Sequence, residues 1–453
     1  MRHDRFGCPI ATASPEGAAA WDAMAMAFLA HGAATPAHLA AVLDADPGFA
    51  AAQAVKGLFC LLLGRREMTA VATEALAAAR IAAAKRPLSP REAGYVAALE
   101  AWAAGAPSGA VARLEAVLAR EPHDALALKI GHAIRFVLGD AAGMRASVEA
   151  ARPAYREGHP ALGYVLGCHA FALEETGEHA RAEALGREGL DRAPDDAWGL
   201  HAVAHVHEMR GDARGGLAWL AGREGAWAHC NNFRFHVWWH EALMRLDLGD
   251  VEAVLALYDG RVRAERTDDY RDIANAASLL SRLELEGVAV GDRWEELADL
   301  AERRTEDGSL IFADLHYLLA LIGGGRDEAV DALLARLGRD ARDGRTEARR
   351  RMARPGLAAA EGLAAFGRGD YARAWGALAR ALPSLPLAGG SHAQRDVFGR
   401  LAIDAAIRSG HLDGAEALLA ERRARRAGRE DGYAAARRAM IARARRAPPA
   451  AAE

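Results

Sequence analysis

Two pairs of histidines near the middle of the chain are the residues best able to carry chemistry. His201 and His205 stand four residues apart, and Glu208 follows three residues later, so all three share one face of a predicted helix. His236 and His240 repeat the four-residue spacing. Because imidazoles titrate near neutral pH and bind transition metals, the two pairs predict a pocket that binds a ligand or performs acid–base chemistry.

Further polar and aromatic residues occur at matching positions relative to a repeated glycine. His240 stands nine residues before Gly249, and His316 stands nine before Gly325. If the helices that carry them pack side by side, the polar residues form one patch across neighbouring repeats. We therefore expect the following side chains to line the patch together with the histidine pairs: Asp272, His316, Trp198 and Trp239.

A polar patch on apolar helices destabilises a protein unless its members are hydrogen-bonded or hold a ligand. Two interpretations stay open. The patch is either a functional pocket or a hydrogen-bonded network that holds irregular repeats in register. Because there are four histidines in two pairs, we favour the pocket.

A bound metal is a narrower hypothesis. A divalent ion such as zinc could be bound by the four imidazoles of His201, His205, His236 and His240. The zinc-protease motif H-E-x-x-H is absent, since Gly211 and Met244 occupy its closing positions. No other cofactor is indicated, because the chain also lacks a phosphate-binding loop and a G-x-S-x-G motif.

The composition favours an all-α protein. Of the 453 residues, 51% are hydrophobic but only 6% are aromatic, so alanine, the best helix former, supplies much of the apolar content. A net charge of -4 gives no reason to expect a nucleic-acid partner, and we interpret the arginine-rich stretches 336–354 and 422–446 as solvated helix faces. The four cysteines form no C-x-x-C pair, and no long apolar run predicts a membrane span, so we expect a soluble cytoplasmic protein.

Glycines divide the chain at a nearly constant period. They lie between apolar helical stretches at spacings of 34 to 44 residues, at positions 64, 105, 139, 177, 211, 249, 287, 325, 369 and 410. This pattern predicts a tetratricopeptide-like α-solenoid of about nine to ten irregular helix-turn-helix repeats, with an ordinary helical bundle as the alternative. We assign residues 1–426 to the solenoid, with histidine- and tryptophan-rich central repeats at 196–250, and 427–453 to a basic helix end and a disordered tail.

Several longer motifs resemble the tetratricopeptide repeat protein 38 family. They include Asp196-Ala197-Trp198, His207-Glu208-Met209, Gly291-Asp292-Arg293-Trp294, Phe312-Ala313-Asp314-Leu315-His316 and Ala393-Gln394-Arg395-Asp396-Val397-Phe398. The resemblance extends from about residue 20 to about residue 420. It implies a helical-repeat fold in a soluble protein, and it carries over no established activity.

Two functions are compatible with these residues. The first is a solenoid that binds a small polar molecule or a peptide in a concave pocket. The second is a metal-assisted or histidine-based hydrolase or lyase, in which His201 or His240 acts as general base and Glu208 orients it. Arg395 would then anchor an acidic group of the substrate, or else form a capping network with Asp396. The sequence predicts no oligomeric state.

Overall fold

The computed structural model describes residues 2–12 and 14–446, and their secondary structure is almost entirely helical. Within this part of the chain, the only strands are Arg2–His3 and Pro9–Ile10, which form a short antiparallel ribbon. The prediction of an all-α protein is therefore confirmed.

The helices follow one another with short connections. In the first half they are α1 (Pro15–Leu29), α2 (Thr35–Ala45), α3 (Ala50–Leu62), α4 (Arg66–Lys85), α5 (Pro90–Ala103), α6 (Pro107–Leu118), α7 (Ala125–Leu138), α8 (Ala141–Ala151), α9 (Leu162–Glu175), α10 (His179–Arg192), α11 (Ala197–Met209) and α12 (Ala213–Leu220). In the second half they are α13 (Phe233–Asp247), α14 (Val251–Leu257), α15 (Tyr270–Leu285), α16 (Arg293–Glu302), α17 (Ile311–Gly323), α18 (Asp327–Asp343), α19 (Glu347–Arg351), α20 (Leu357–Gly367), α21 (Tyr371–Ala381), α22 (His392–Arg408), α23 (Leu412–Arg425) and α24 (Gly432–Arg446). Short 3₁₀ turns occupy Arg152–Ala154, Glu224–Ala226 and Leu382–Ala388, and π-helical turns occupy Tyr258–Val262 and Met352–Gly356.

Each of the ten glycines that mark the period lies between two helices and has a positive φ angle. At Gly139 the chain leaves α7 with φ 67°, a conformation that costs other residues energy because of their Cβ atom. Asp140 follows, and its side chain accepts a hydrogen bond from the backbone of Gly143 at the start of α8. Asp212, Asp250 and Asp370 cap the helices after their glycines in the same way.

Units from the first half of the chain contact units from the second half. The backbone N–H of Arg66 donates to Asp307 at 2.7 Å, and that of Glu347 donates to the carbonyl of Gly105 at 3.0 Å. Further along, the backbone N–H of His392 donates to Glu175 at 2.8 Å. The N-terminal ends of later units therefore close against the glycine turns and helix ends of earlier ones.

The buried apolar side chains form two large clusters. One runs from the N-terminal ribbon to α11, and the other runs from α13 to α22. A smaller cluster, made mostly by residues of α11, α12 and α13, lies between them in the chain. The helices that carry the paired histidines thus stand at the junction of the two main cores. No helix in the described ranges has the length and apolar character needed to cross a membrane.

The expectation that the arginine-rich stretches are solvated is wrong for several of their members. Arg336 is buried and donates to Asp314 at 3.0 Å, and Arg422 is buried and donates to Asp396 at 2.7 Å. Arg437, in α24, donates to Glu286 at 3.0 Å. These arginines reach acids on other helices, so ion pairs hold the predicted basic end of the chain against the helices before it. Residues 447–453, where a disordered tail is predicted, lie outside the described residues.

Gly139 and Gly249 form a matched pair for testing the turns. A Cβ atom on Gly139 would lie 1.8 Å from the carbonyl oxygen of Pro386, whereas a Cβ on Gly249 would have open space around it. We expect Gly249→Ala to cost about 1–2 kcal/mol for the left-handed backbone alone. Gly139→Ala should lower the midpoint of thermal unfolding clearly further, and equal midpoints for the two variants would contradict the contact with Pro386.

Candidate functional site

A cavity of about 640 Å³ lies between helices of the first and second halves of the chain. Its walls are largely apolar, and they include Phe28, Leu39, Phe59, Phe136, Leu310 and Phe312. This volume is in the range of pockets that hold small molecules.

The polar end of the cavity adjoins the paired histidines. His201 and His236 both line the cavity, and Asn275 lies beside them. The ring of Trp198 also lines it, with its centre 5.2 Å from that of His201. A molecule in the cavity would therefore contact part of the histidine cluster directly.

The structure brings the four histidines of the two pairs together. His201 Nε2 lies 3.1 Å from His236 Nε2, and His240 Nε2 lies 3.2 Å from the same atom. The ring centre of His205 lies 4.3 Å from that of His201 and 4.4 Å from that of His240. One ring nitrogen of each lies within 4.8 Å of the others, and all four side chains are buried, so these residues form a histidine cluster.

Polar groups on the surrounding helices hold the outer nitrogens of the cluster. His240 Nδ1 donates to the Glu208 carboxylate at 3.0 Å, and His236 Nδ1 lies 2.9 Å from Asn275 Oδ1. His205 Nδ1 faces the buried carboxylate of Glu174 at 3.4 Å. Because these partners come from α9, α11 and α15, three helices set the orientation of the rings.

Burial decides the charge of most of these rings. It lowers the pKa of His201 and His236 well below the ordinary value, and it lowers the pKa of His240 to about 4. Burial acts to lower the pKa of His205 as well, but the nearby carboxylates of Glu174, Glu208 and Glu175 together raise that pKa. Burial also acts to raise the pKa of Glu208, but the hydrogen bond from His240 and the positive charges around the carboxylate together lower that pKa to about 2. Neutral imidazoles beside ionised carboxylates can act as bases or as metal ligands.

Three other predicted residues lie around the cluster or away from it. Trp239 stacks on His236 with 5.2 Å between ring centres, behind the cavity wall. The Asp272 carboxylate accepts hydrogen bonds from Asn232, at 2.6 Å, and from Thr267. His316 Nδ1 donates to the carbonyl of Phe312 at 2.7 Å. None of these three predicted residues lines the cavity.

The predicted anchor Arg395 and its neighbour Asp396 have separate partners. Arg395 donates to the backbone carbonyls of Gly389, at 3.3 Å, and Gly390, and also faces Glu175. Asp396 accepts hydrogen bonds from arginines of α22 and α23. Neither residue lines the cavity, and they do not form the predicted pair.

The sequence analysis missed Lys129, which lines the cavity although its side chain is only 4% exposed. Its ammonium lies 3.7 Å from Cys168 Sγ and 4.8 Å from the centre of the Trp198 ring. Two features of the sequence mark this residue. The chain has only three lysines among its 57 basic residues, and this one stands between Leu128 and Ile130 in an apolar helix.

A scan against models of known protein families finds none that matches this chain. The resemblance drawn from the motifs therefore stays a prediction. The chemistry of the site has to be argued from its own contacts.

Asn275 offers a test of how the cluster is held. Asn275→Leu keeps approximate size but leaves the outer nitrogen of His236 without a partner, so we expect the free energy of unfolding to fall by about 1–3 kcal/mol. Ser278→Ala, on the same helix, is the control. It removes a hydroxyl that bonds only the backbone carbonyl of Asn275, and should cost less than about 1 kcal/mol. Denaturant unfolding measures both, and a wild-type value for Asn275→Leu would show that this contact does not hold the ring.

Proposed function

We propose that this chain is a tetratricopeptide-like α-solenoid that binds a small molecule in its central cavity. The ligand that fits best has an apolar body and a single carboxylate or similar anionic group. The observation that carries the proposal is the buried ammonium of Lys129 in the wall of a largely apolar cavity.

The solenoid arrangement is supported by the order of the helices. Ten helix–glycine–helix units succeed one another, and each glycine has the same left-handed conformation. The contacts between units of the first and second halves would follow if the solenoid curves until distant turns meet. The motifs shared with the tetratricopeptide repeat protein 38 family favour the same arrangement.

The cavity wall selects an apolar body for the ligand. Phenylalanine and leucine side chains from both halves of the chain line most of it. Burying apolar surface against them stabilises a complex by about 25 cal/mol for each Å² removed from water. A fully polar molecule would gain little there, so we narrow the predicted ligand to one with an apolar body.

The buried ammonium selects an anionic group. Among the described residues, no carboxylate forms a salt bridge with Lys129 Nζ, which contacts Cys168 Sγ instead. A buried charge without a partner is costly, and a ligand carboxylate would relieve that cost. The charge of Lys129 acts on the buried carboxyl group of Asp196: burial raises the pKa of Asp196 to about 7, and Lys129 opposes that rise.

Other polar groups in the cavity lining favour the same ligand. Of the charged side chains that line the cavity, Lys56, Lys129 and Arg271 are cationic, and Asp269 is the one anion. Asp269 already accepts hydrogen bonds from Arg271 at 2.6 Å. In addition, the indole N–H of Trp198 is buried without a hydrogen-bond partner. The charged side chains of the lining therefore carry more positive than negative charge.

Lys129→Met tests the proposed ligand class directly. Decanoate should displace the fluorescent anion 1-anilinonaphthalene-8-sulfonate from the wild-type chain, and decan-1-ol should do so more weakly by about 10–100-fold. In Lys129→Met that preference should disappear, because the charge-assisted contact is lost while the apolar wall remains.

Lys85→Met is the matched control, since Lys85 is the one lysine of the three that does not line the cavity, and it is exposed on α4. It should keep the wild-type preference for decanoate. Equal affinity of the wild-type chain for the acid and the alcohol would refute the ligand class, and displacement of the dye by neither would refute the cavity as a binding site.

A metal-assisted or histidine-based hydrolase or lyase is the second candidate. It is favoured by one contact, because His201 lines the cavity and its Nδ1 is buried without a hydrogen-bond partner. That nitrogen could accept a proton from a bound molecule or from water. Glu208 would act through His240, which it positions. Arg395 would not contact the substrate, because it does not line the cavity.

Hydrolysis of 4-nitrophenyl decanoate separates the two candidates. An enzyme should release 4-nitrophenol, and His201→Gln should lower kcat/KM by about 10²–10⁴-fold. His316→Gln, which alters a buried histidine outside the cavity, should keep the wild-type rate. No turnover above the uncatalysed rate would leave binding as the function.

The cytoplasm is the compartment that we propose for this protein. All four cysteines are free thiols, and three of them are buried. A reducing compartment keeps such thiols unpaired. A small molecule is the only partner that the site itself suggests.

A further inference from the structure

We infer that the histidine cluster, formed by His201, His205, His236 and His240, is a binding site for a divalent transition metal of the zinc class. This inference stands on the contacts inside the cluster and does not depend on the ligand proposed for the cavity.

The first argument is a count of hydrogens. His236 Nε2 lies 3.1 Å from His201 Nε2 and 3.2 Å from His240 Nε2. An imidazole nitrogen carries either one N–H or one lone pair, so it can complete one hydrogen bond of this kind. One of these two nitrogen–nitrogen contacts is therefore short without a hydrogen bond, and a bound ion between the nitrogens would explain it.

The partners of the Nδ1 atoms of His240 and His236 indicate where the protons on these two rings lie. A carboxylate only accepts, so His240 carries its proton on Nδ1, towards Glu208, and its Nε2 bears a lone pair. With the Asn275 oxygen facing His236 Nδ1, His236 Nε2 also bears a lone pair, and the two lone pairs meet at 3.2 Å. If the Asn275 amide is turned the other way, His236 Nε2 carries the proton instead, and it still cannot donate to His240 and His201 together.

A metal ion resolves both contacts at once. In a tetrahedral site with zinc–nitrogen bonds of about 2.0–2.1 Å, neighbouring ligand nitrogens are about 3.3 Å apart. The two measured separations, 3.1 and 3.2 Å, are close to that value. Lone pairs that would repel each other then point at a shared cation.

His205 supplies the fourth ligand. Its side chain is buried, and neither ring nitrogen has a hydrogen-bond partner. The same is true of both carboxylate oxygens of Glu174, although one lies 3.4 Å from His205 Nδ1. If His205 binds a metal through one ring nitrogen, the other nitrogen carries a proton that can be donated to the Glu174 carboxylate. This is the carboxylate–histidine–metal arrangement of known zinc sites.

The charges around the cluster suit a dication. Four neutral imidazoles would leave a charge of +2 on the ion, and the carboxylates of Glu174 and Glu208 are both well placed to balance it. Four nitrogen ligands match zinc and its neighbours in the transition series better than calcium or magnesium, which prefer oxygen. With four protein ligands the site is closed, so the metal would cross-link α11 to α13.

Zinc titration of the tag-free chain tests the inference. After removal of metal with a chelator, the wild-type chain should bind about one zinc ion in a competition assay with a chelating dye. The zinc-loaded chain should also melt at a higher temperature than the stripped one. His236→Gln removes a ligand, and should lower the affinity by more than the about 10–100-fold that loss of an outer-shell partner costs.

His316→Gln is the control, because His316 is equally buried but bonds the backbone of its own helix. It should bind zinc like the wild type. If His236→Gln fails to fold, cobalt(II) absorption of the wild-type chain decides, since four imidazoles in a tetrahedron give far stronger visible bands than hydrated cobalt.

A stripped wild-type chain that binds no zinc, or a hydrated-type cobalt spectrum, would overturn the inference. Zinc affinity in Lys129→Met should equal that of the wild type, and decanoate binding is measured on the metal-free chain. Failure of the cavity proposal and failure of the metal site are therefore distinguishable.

Discussion

A polar group on a helix that is surrounded by protein on every side costs free energy unless it has a hydrogen-bond partner or a bound ligand. α11 is such a helix, since nearly all of its residues are buried, including three histidines. An unpaired polar group in such a place costs about 1–3 kcal/mol, and a chain of this size has little stability to spare. The placement of Glu174, Glu208 and Asn275 around the rings follows from that constraint.

The same constraint explains why the site stands between the two halves of the protein. The large apolar clusters are built from the N-terminal and C-terminal helices, and α11 and α13 lie where they meet. Contacts such as those from His392 to Glu175 bring later units back against earlier ones. The cavity is the space between these units, and the buried histidine cluster lies at one side of it. The cavity and the histidine cluster therefore share two side chains, His201 and His236.

The basic residues show how burial changes the meaning of a charge. Arginines such as Arg336 and Arg437 are buried but paired with acids, so they hold helices together. Lys129 is buried to a similar extent, yet no acid in the described part of the chain pairs with it. Paired and unpaired buried cations look alike in a sequence. Only the unpaired one points to a ligand.

Local chemistry let the sequence alone establish the helical class, the ten glycine turns and the grouping of the histidines. Glycine at a helix end, aspartate after it and imidazoles four residues apart act over one or two turns of chain, so spacing is enough to read them. The family resemblance and the solenoid arrangement concern the whole chain, and both stay proposals.

Tertiary structure decided everything that depends on residues far apart in the chain. It set Asp272, His316 and Arg395 apart from the cavity, where each bonds another group of the protein. It also brought Lys129 and Asn275 to the cavity wall, from helices before and after the histidine pairs. Whether a polar residue faces a partner, a cavity or another ring depends on how distant helices cross. That is fixed by packing across the whole fold, and one segment of sequence does not contain it.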